Sequence, residues 1–327
     1  MNNSTTPLDV EDDLNAMEGA IARNLFRTDD DSSDDDDDDV GGDCKNDIAL
    51  KSLSQRQDNN TPLGRESSSN NTFVQYPIMD ICLEEQTIGG SIAQRLWPAA
   101  AYLANFVMMQ HPSASLLSPG IAPSSSQTAT IITTTPPAPT TIIELGAGVG
   151  LTGLQLATYF NCRVLLTDLP DAMPLLQRNI DLNRKRFRGG ENAVQAQVLT
   201  WGNQDDATAA LQWIGRHCNT SAEPFLIIAS DCVYFPKLHE PLEQTLCHLL
   251  KGGQAGSKCW IAGMRRWKSD NVFYKNVGSK TKTAAHQLVC ECLKETVTRT
   301  EQSQREIMRV FSIEWKARKN KKSVPHV

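Results

Sequence analysis

The sequence predicts an α/β fold: one mostly parallel sheet with helices on both faces and an antiparallel pair of strands at one edge. From residue 142 onward, short β-branched runs alternate with longer helical patterns. These runs are largely apolar, as expected for parallel strands covered on both faces. Towards the C-terminus, "ETVTRTE" and "IMRVFSIEW" read as two strands joined by a polar turn, which supplies the antiparallel edge.

Residues 1–70 stand apart. They are rich in Asn, Ser, Thr and Asp and poor in aromatics, and the run Asp34–Asp39 follows closely on Asp29–Asp31. Such a segment cannot bury enough apolar surface to offset chain entropy, so a disordered acidic tail is expected. It holds 18 Asp and Glu against 6 Lys and Arg, which leaves the rest of the chain net positive although the whole carries −6. The Asp run reads as a solvated, self-repelling arm. Alternatives are a bait for a basic partner or a kinase site at Ser32 and Ser33.

A folded domain is expected over residues 71–318, with a basic tail at 319–327. "GGSIAQRLWPAAAYLANFVMM" contains Pro98, suited to a first helical turn, followed by small and apolar residues. Residues 112–139, dominated by Pro, Ser, Thr and Ala, read as a low-complexity loop inserted before the first central strand. Strands are expected at Ile142–Leu145, Arg163–Thr167, Val194–Leu199, Phe225–Ser230 and Cys259–Met264. Helices are expected at Leu151–Phe160, Pro174–Asn183, Ala207–His217, Pro241–Leu250 and Ala284–Leu293.

The nine cysteines form no C-x-x-C pair, and several lie in apolar runs, where a reduced thiol behaves as a small hydrophobe. A reducing compartment without structural zinc follows. The first residues are polar and acidic, unlike a secretory signal. The longest apolar stretch, Leu96–Met109, falls short of the roughly 18 residues of a membrane span. The expectation is a soluble cytoplasmic protein, with "WKARKNKK" reading equally as a solvated terminal extension or as a basic segment for nuclear import or an acidic partner.

"TIIELGAGVGLTGL" runs a strand through Gly146, Ala147 and Gly148 into a helix, which is the context a ligand-holding glycine turn needs. Gly146 permits a tight turn and Gly148 lets a ligand approach the backbone, although the spacing departs from G-x-G-x-x-G. Asp168 closes the next strand 20 residues beyond Gly148, where a carboxylate can accept hydrogen bonds from both ribose hydroxyls. Nicotinamide and methyl-donor cofactors share these features. Glu144 is one pointer to the methyl donor, because an acid before the turn can face the ammonium of a methionine moiety but would repel a pyrophosphate. The Tyr-x-x-x-Lys pair of short-chain hydride transfer is also missing, since Tyr234 and Lys237 are misspaced around Pro236. "FLIIASDCVYFP" then places Asp231 and Tyr234 at the mouth of an apolar strand. "VLTWG" puts Trp201 where an indole can stack on adenine.

Taken together, "GGSIAQRLWPAAAYLA", "IIELGAGVGLTGL", "LLTDLPDAMPLLQRNIDLN", "LTWG" and "ASDCVYFPKLHEPLEQTL" resemble methyltransferase family 16. This is the Asp-x-x-Tyr group of seven-strand, S-adenosylmethionine-dependent protein-lysine methyltransferases. The resemblance covers roughly residues 89–246 in register, and continues less sharply to Trp315. Two departures stand out: Pro98 follows Trp97 where many relatives have Asp, and the 112–139 insert is atypical. The resemblance implies a Rossmann-like seven-stranded sheet and S-adenosyl-L-methionine as cofactor. Trp97, the Gly146–Ala147–Gly148 turn, Asp168, Trp201 and Ser230 would contact it, while Asp231 and Tyr234 would shape the acceptor channel. It further implies methyl transfer to a lysine of a non-histone protein; separately, a monomer that binds neither membrane nor nucleic acid is expected. Nucleic-acid base methyltransferases commonly carry two prolines where Cys232 and Val233 stand. A catalytically silent binding module and a small-molecule or nucleic-acid methyltransferase remain the alternatives.

Overall fold

The computed structural model describes residues 76–78, 81–85, 92–111, 138–217, 223–266, 270–277, 288–299 and 305–316. All of them fall in the compact unit Ser68–Val327. The expectations for the acidic tail, for nearly all of the 112–139 insert and for the basic tail lie outside the described residues.

Seven strands form the central sheet: β3 (Thr141–Leu145), β4 (Arg163–Asp168), β5 (Val194–Val198), β6 (Leu226–Ser230), β7 (Lys258–Met264), β8 (Leu288–Arg299) and β9 (Arg305–Trp315). Their order is β5-β4-β3-β6-β7-β9-β8. The first five strands in that order run parallel, and β9 lies antiparallel between β7 and β8. The chain steps outward from β3 to β5, then returns to the other side of β3 with β6. The order therefore reverses between β3 and β6, and the crevice at their carboxyl ends is where such sheets bind ligands.

Helices cover both faces. On one, α1 (Pro98–Gln110) and α2 (Leu151–Tyr159) pack together, and α1 also meets β6 and β7. Pro98 occupies the first turn of α1, where its missing N–H costs nothing. Ala99–Ala104 and Phe106–Met108 are all buried, so α1 is an enclosed helix rather than an amphipathic one. Facing the other side, Ile143, Leu145, Ile227, Ala229, Cys259 and Ile261 form one apolar cluster. It includes side chains of α4 (Gln204–His217) and α5 (Pro236–Gly252). The strand period of two places Ile142 and Glu144 on the opposite face, against α2.

Outside the central sheet, β1 (Tyr76–Ile78) and β2 (Ile81–Leu83) form an antiparallel hairpin held by α3 (Met173–Asn183). Asn179 and Asn183, one helical turn apart and fully buried, reach the β2 backbone. Asn183 Oδ1 accepts the Cys82 N–H at 2.9 Å, and Asn183 Nδ2 donates to the Cys82 carbonyl at 2.7 Å. Asn179 does the same for Glu84, at 2.7 and 3.1 Å. The two amides thus act as the edge of a neighbouring strand. Asn179 Nδ2 also donates to the Val149 carbonyl at 2.9 Å, which ties the hairpin to the glycine turn.

Three elements differ from expectation. A helix over Ala284–Leu293 does not form in the described part: Leu288 onward belongs to β8, paired with β9 from Leu288↔Trp315. Pairing along this long edge overrides a helical spacing of apolar residues that is equally readable as a strand; residues 284–287 lie outside the described residues. Helix α5 begins at Pro236 instead of Pro241, because a proline is at home in the first turn; Pro241 then sits inside the helix. A short helix α6 (Asp270–Val277) is also present.

Among the described residues, no helix is long and apolar enough to cross a membrane. Cys82, Cys162, Cys232, Cys247, Cys259, Cys290 and Cys292 are not joined in disulfides.

Candidate functional site at the β3–β6 crevice

At the end of β3 the backbone enters the left-handed region at Gly146 (φ 59°), Gly148 (φ 55°) and Gly150 (φ 83°), which only glycine adopts without cost. Two hydrogen bonds fix the turn: the Ala147 N–H donates to the Thr167 carbonyl at 2.9 Å, and the Gly150 N–H to the Ala147 carbonyl at 2.7 Å. Space is equally restrictive. A methyl on Gly146 would lie 2.9 Å from Cys232 Sγ and 3.0 Å from the Trp201 ring. One on Gly148 would lie 2.6 Å from the Ala93 carbonyl oxygen. The chain just before α1 therefore folds over the turn, and Ala93, not a ligand, occupies the approach to Gly148.

Asp168 ends β4 beside this turn. Its Oδ2 accepts the Gly148 N–H and its Oδ1 the Leu169 N–H, both at 2.7 Å. Burial nevertheless outweighs these bonds and pushes the carboxyl up to about 6. Each oxygen keeps a second lone pair, so the geometry leaves acceptor capacity for hydroxyls.

Glu144 is buried, with 1% of its surface exposed. Its Oε2 accepts the Gly153 N–H, in the first turn of α2, at 2.8 Å. The end of α2 that would otherwise attract a phosphate is thus filled by the protein's own carboxylate. Burial, with a contribution from nearby Asp168, raises the Glu144 carboxyl to about 8. Oε1 has no hydrogen-bond partner.

Across the crevice, β6 delivers Ser230 and Asp231. Ser230 pairs in register with Ala262 of β7. Asp231 has φ 53°, the one non-glycine residue with positive φ among the described residues. Asp and Asn tolerate this region better than most residues, and such backbone clusters at functional sites. Its N–H donates to the Ala262 carbonyl at 2.9 Å, which aims the side chain past the end of β7. There Arg266 grips it: Nη1 lies 3.0 Å from Oδ1 and Nη2 lies 3.2 Å from Oδ2. The Met264 N–H adds a bond to Oδ1 at 3.2 Å.

Cys232 turns inward, and its thiol donates to the Leu145 carbonyl at 3.3 Å, joining the two sides of the crevice. Burial first, then the nearby Asp168, Asp231 and Glu144, raises this thiol well above its ordinary value. It is a packing residue and not a nucleophile. Tyr234 is half-buried between the buried Val233 and Phe235. The Trp97 ring lies 5.4 Å from the Arg266 guanidinium.

The structure accordingly gathers Glu144, the glycine turn, Asp168, Trp201, Ser230 and Asp231 around one crevice, and links Trp97 to it through Arg266. It also shows residues that the sequence reading passed over. Arg266 follows β7 as Asp231 follows β6, so parallel pairing of the two strands was the available signal. Asp270, which accepts the Arg266 backbone N–H at 3.0 Å, gave no signal of its own.

The donor set fits S-adenosylmethionine better than a dinucleotide. The Glu144 carboxyl closes the helix terminus to pyrophosphate, and a second acid, Asp168, suits ribose hydroxyls. A family model described as "Lysine methyltransferase" matches residues 77–280. Protein-lysine N-methyltransferase rrg1 of Schizosaccharomyces pombe is 38% identical over 93 residues, 28% of either chain. Calmodulin-lysine N-methyltransferase of Arabidopsis thaliana is 31% identical over 138 residues, covering 42% of this chain and 41% of that one. Protein N-lysine methyltransferase METTL21A of Danio rerio is 36% identical over 111 residues, covering 34% and 44%. The matched part spans less than half the length of each of these relatives.

Proposed function

The chain belongs to the lysine methyltransferase family, and from that premise we propose that it transfers a methyl group from S-adenosylmethionine to the side-chain amine of a lysine in a non-histone protein. The observation that carries the proposal is Asp231. Its carboxylate stands at the end of β6, across the strand-order reversal from the glycine turn, on backbone that costs energy to hold.

The bound sulfonium supplies an electrophilic methyl carbon; everything else falls to this chain. Asp168 holds the ribose hydroxyls on the lone pairs that Gly148 and Leu169 leave free. The ligand lies at the mouth of β3 beside Gly146, and Trp201, packed against Gly146, offers a stacking face for the adenine. Asp231 captures and orients the lysine, and Tyr234 lines the channel.

A free lysine titrates at about 10.4, so presenting it neutral at about pH 7 costs about 5 kcal/mol. The lysine would lose its one proton before transfer, Asp231 would hold the neutral amine facing the methyl group that the bound sulfonium would supply, and the methylated product would remain an ammonium ion. Alignment of amine and methyl carbon in the crevice supplies a large part of the acceleration. Relatives named for calmodulin and for other protein lysines support a protein acceptor.

The test pairs the wild-type chain with Asp231→Asn, which keeps the shape and tolerates φ 53°. Labelled methyl transfer to proteins of cells lacking this chain should require Asp231, while S-adenosylmethionine binding by calorimetry survives in both. Lysine methylation that is identical, by mass spectrometry, in cells with and without the chain would sink the proposal.

A further inference from the structure

We propose that Arg266 is a positioning residue of the acceptor site: by neutralising Asp231, it lets the carboxylate orient a lysine without stabilising that lysine as an ammonium ion. The inference rests on the proposed methyl transfer. It resolves a conflict within it, because an unpaired buried carboxylate would hold the incoming lysine in its charged, unreactive form.

The geometry is specific. Arg266 meets Asp231 in a two-pronged pair at 3.0 and 3.2 Å, with the Asp231 side chain 6% exposed and that of Arg266 23%. A guanidinium does not lose its charge at any working pH, so the pair is neutral overall. Asp231 Oδ1 takes two donors, from Arg266 and Met264, whereas Oδ2 takes one, from Arg266. Oδ2 therefore retains a lone pair able to accept an amine N–H.

The arginine is itself held. Its guanidinium lies against the Trp97 ring, and its backbone N–H donates to Asp270 Oδ2 at 3.0 Å. A side chain fixed on both ends gives Asp231 a defined direction as well as a counter-charge. A purely structural clamp between the ends of β6 and β7 would share this geometry but would not discriminate between charged and uncharged ligands. That difference is measurable without knowing the protein substrate.

The probes are S-adenosylhomocysteine and sinefungin. They differ at the sulfur, where sinefungin carries a carbon bearing an amine, so its ammonium projects where the transferred methyl would lie. Calorimetry on the full chain at about pH 7 should show Arg266→Gln binding S-adenosylhomocysteine within about twofold of wild type but sinefungin about tenfold more tightly, because Asp231 is left uncompensated. Arg266→Lys, which keeps the charge, should restore the wild-type ratio of the two affinities. Asp231→Asn keeps the shape and should shift the ratio the other way, disfavouring sinefungin by about tenfold; it serves if Arg266→Gln does not fold. An unchanged ratio in the folded variants, with both ligands weakened together, would mean a structural clamp and overturn the inference. If wild type binds neither ligand, the cofactor reading itself falls, and the inference with it.

Discussion

Replacing Glu144 with Gln isolates the cost of keeping a carboxyl under α2. Burial holds this group at about 8, against an ordinary value of 4.5, even though Gly153 donates to it. A carboxyl raised in this way binds its proton more tightly in the folded chain than in the unfolded one. Stability is therefore fullest below 4.5, falls as pH climbs to about 8, and is flat beyond. At about 1.4 kcal/mol per unit, the loss is about 2 kcal/mol at about pH 6 and about 4.5 kcal/mol at about pH 8.5.

Gln carries no charge to desolvate. Its amide puts a donor or a lost acceptor where Oε1 now lies, but that offset does not vary with pH. The unfolding free energy of Glu144→Gln minus that of wild type should thus rise by about 2.5 kcal/mol between those two pH values, read by denaturant titration. A difference that stays constant would refute the reasoning, because it would mean Glu144 titrates alike in both states. The same titration has a functional arm. If Oε1 receives the ligand's ammonium, S-adenosylmethionine binding at about pH 7 should release close to one proton, seen by calorimetry in two buffers of different ionisation enthalpy. Binding without proton release would remove Glu144 from the ligand.

Asp168→Asn should lose one of its two backbone bonds and turn an N–H2 towards an N–H, costing about 1–3 kcal/mol of stability and at least about tenfold in S-adenosylmethionine affinity; wild-type affinity would end the ribose assignment. Gly148→Ala meets both a positive φ and the Ala93 carbonyl at 2.6 Å. It should lower the melting temperature and weaken cofactor binding, and unchanged values of both would show that residues 92–94 move aside freely. Asn183→Ala removes both side-chain bonds to Cys82, so about 1–3 kcal/mol should be lost. Hydrogen exchange at the Cys82 amide should accelerate; protection equal to wild type would mean the hairpin does not depend on α3.

The central strands were legible because each is a short apolar run bounded by polar or turn residues, which leaves little choice of structure. The glycine turn, Asp168 and Asp231 were legible for a related reason: each directly follows or ends such a run, and parallel pairing brings those ends together. Residues 288–293 were not, since "LVCECL" satisfies a helical and an extended spacing alike, and only the presence of β9 decides. The β1–β2 hairpin was equally hidden, because its partners are two amides on a helix about a hundred residues away. Arg266 shows a third kind of limit. A cation next to a strand end is common on any surface, and only the positive φ of Asp231, a backbone property, turns its carboxylate towards that cation.

The placement of β9 between β7 and β8 has a consequence for synthesis. β8 leaves the ribosome before the strand that will join it to the sheet, and β7 keeps one edge open over the same interval. Until β9 docks, β8 and the outer edge of β7 hold backbone groups that await a partner, including the apolar Cys259–Ile261 segment. Such edges recruit other chains. Copies of this protein are therefore most open to pairing with one another in the interval before β9 docks, when the residues around the crevice have already been made.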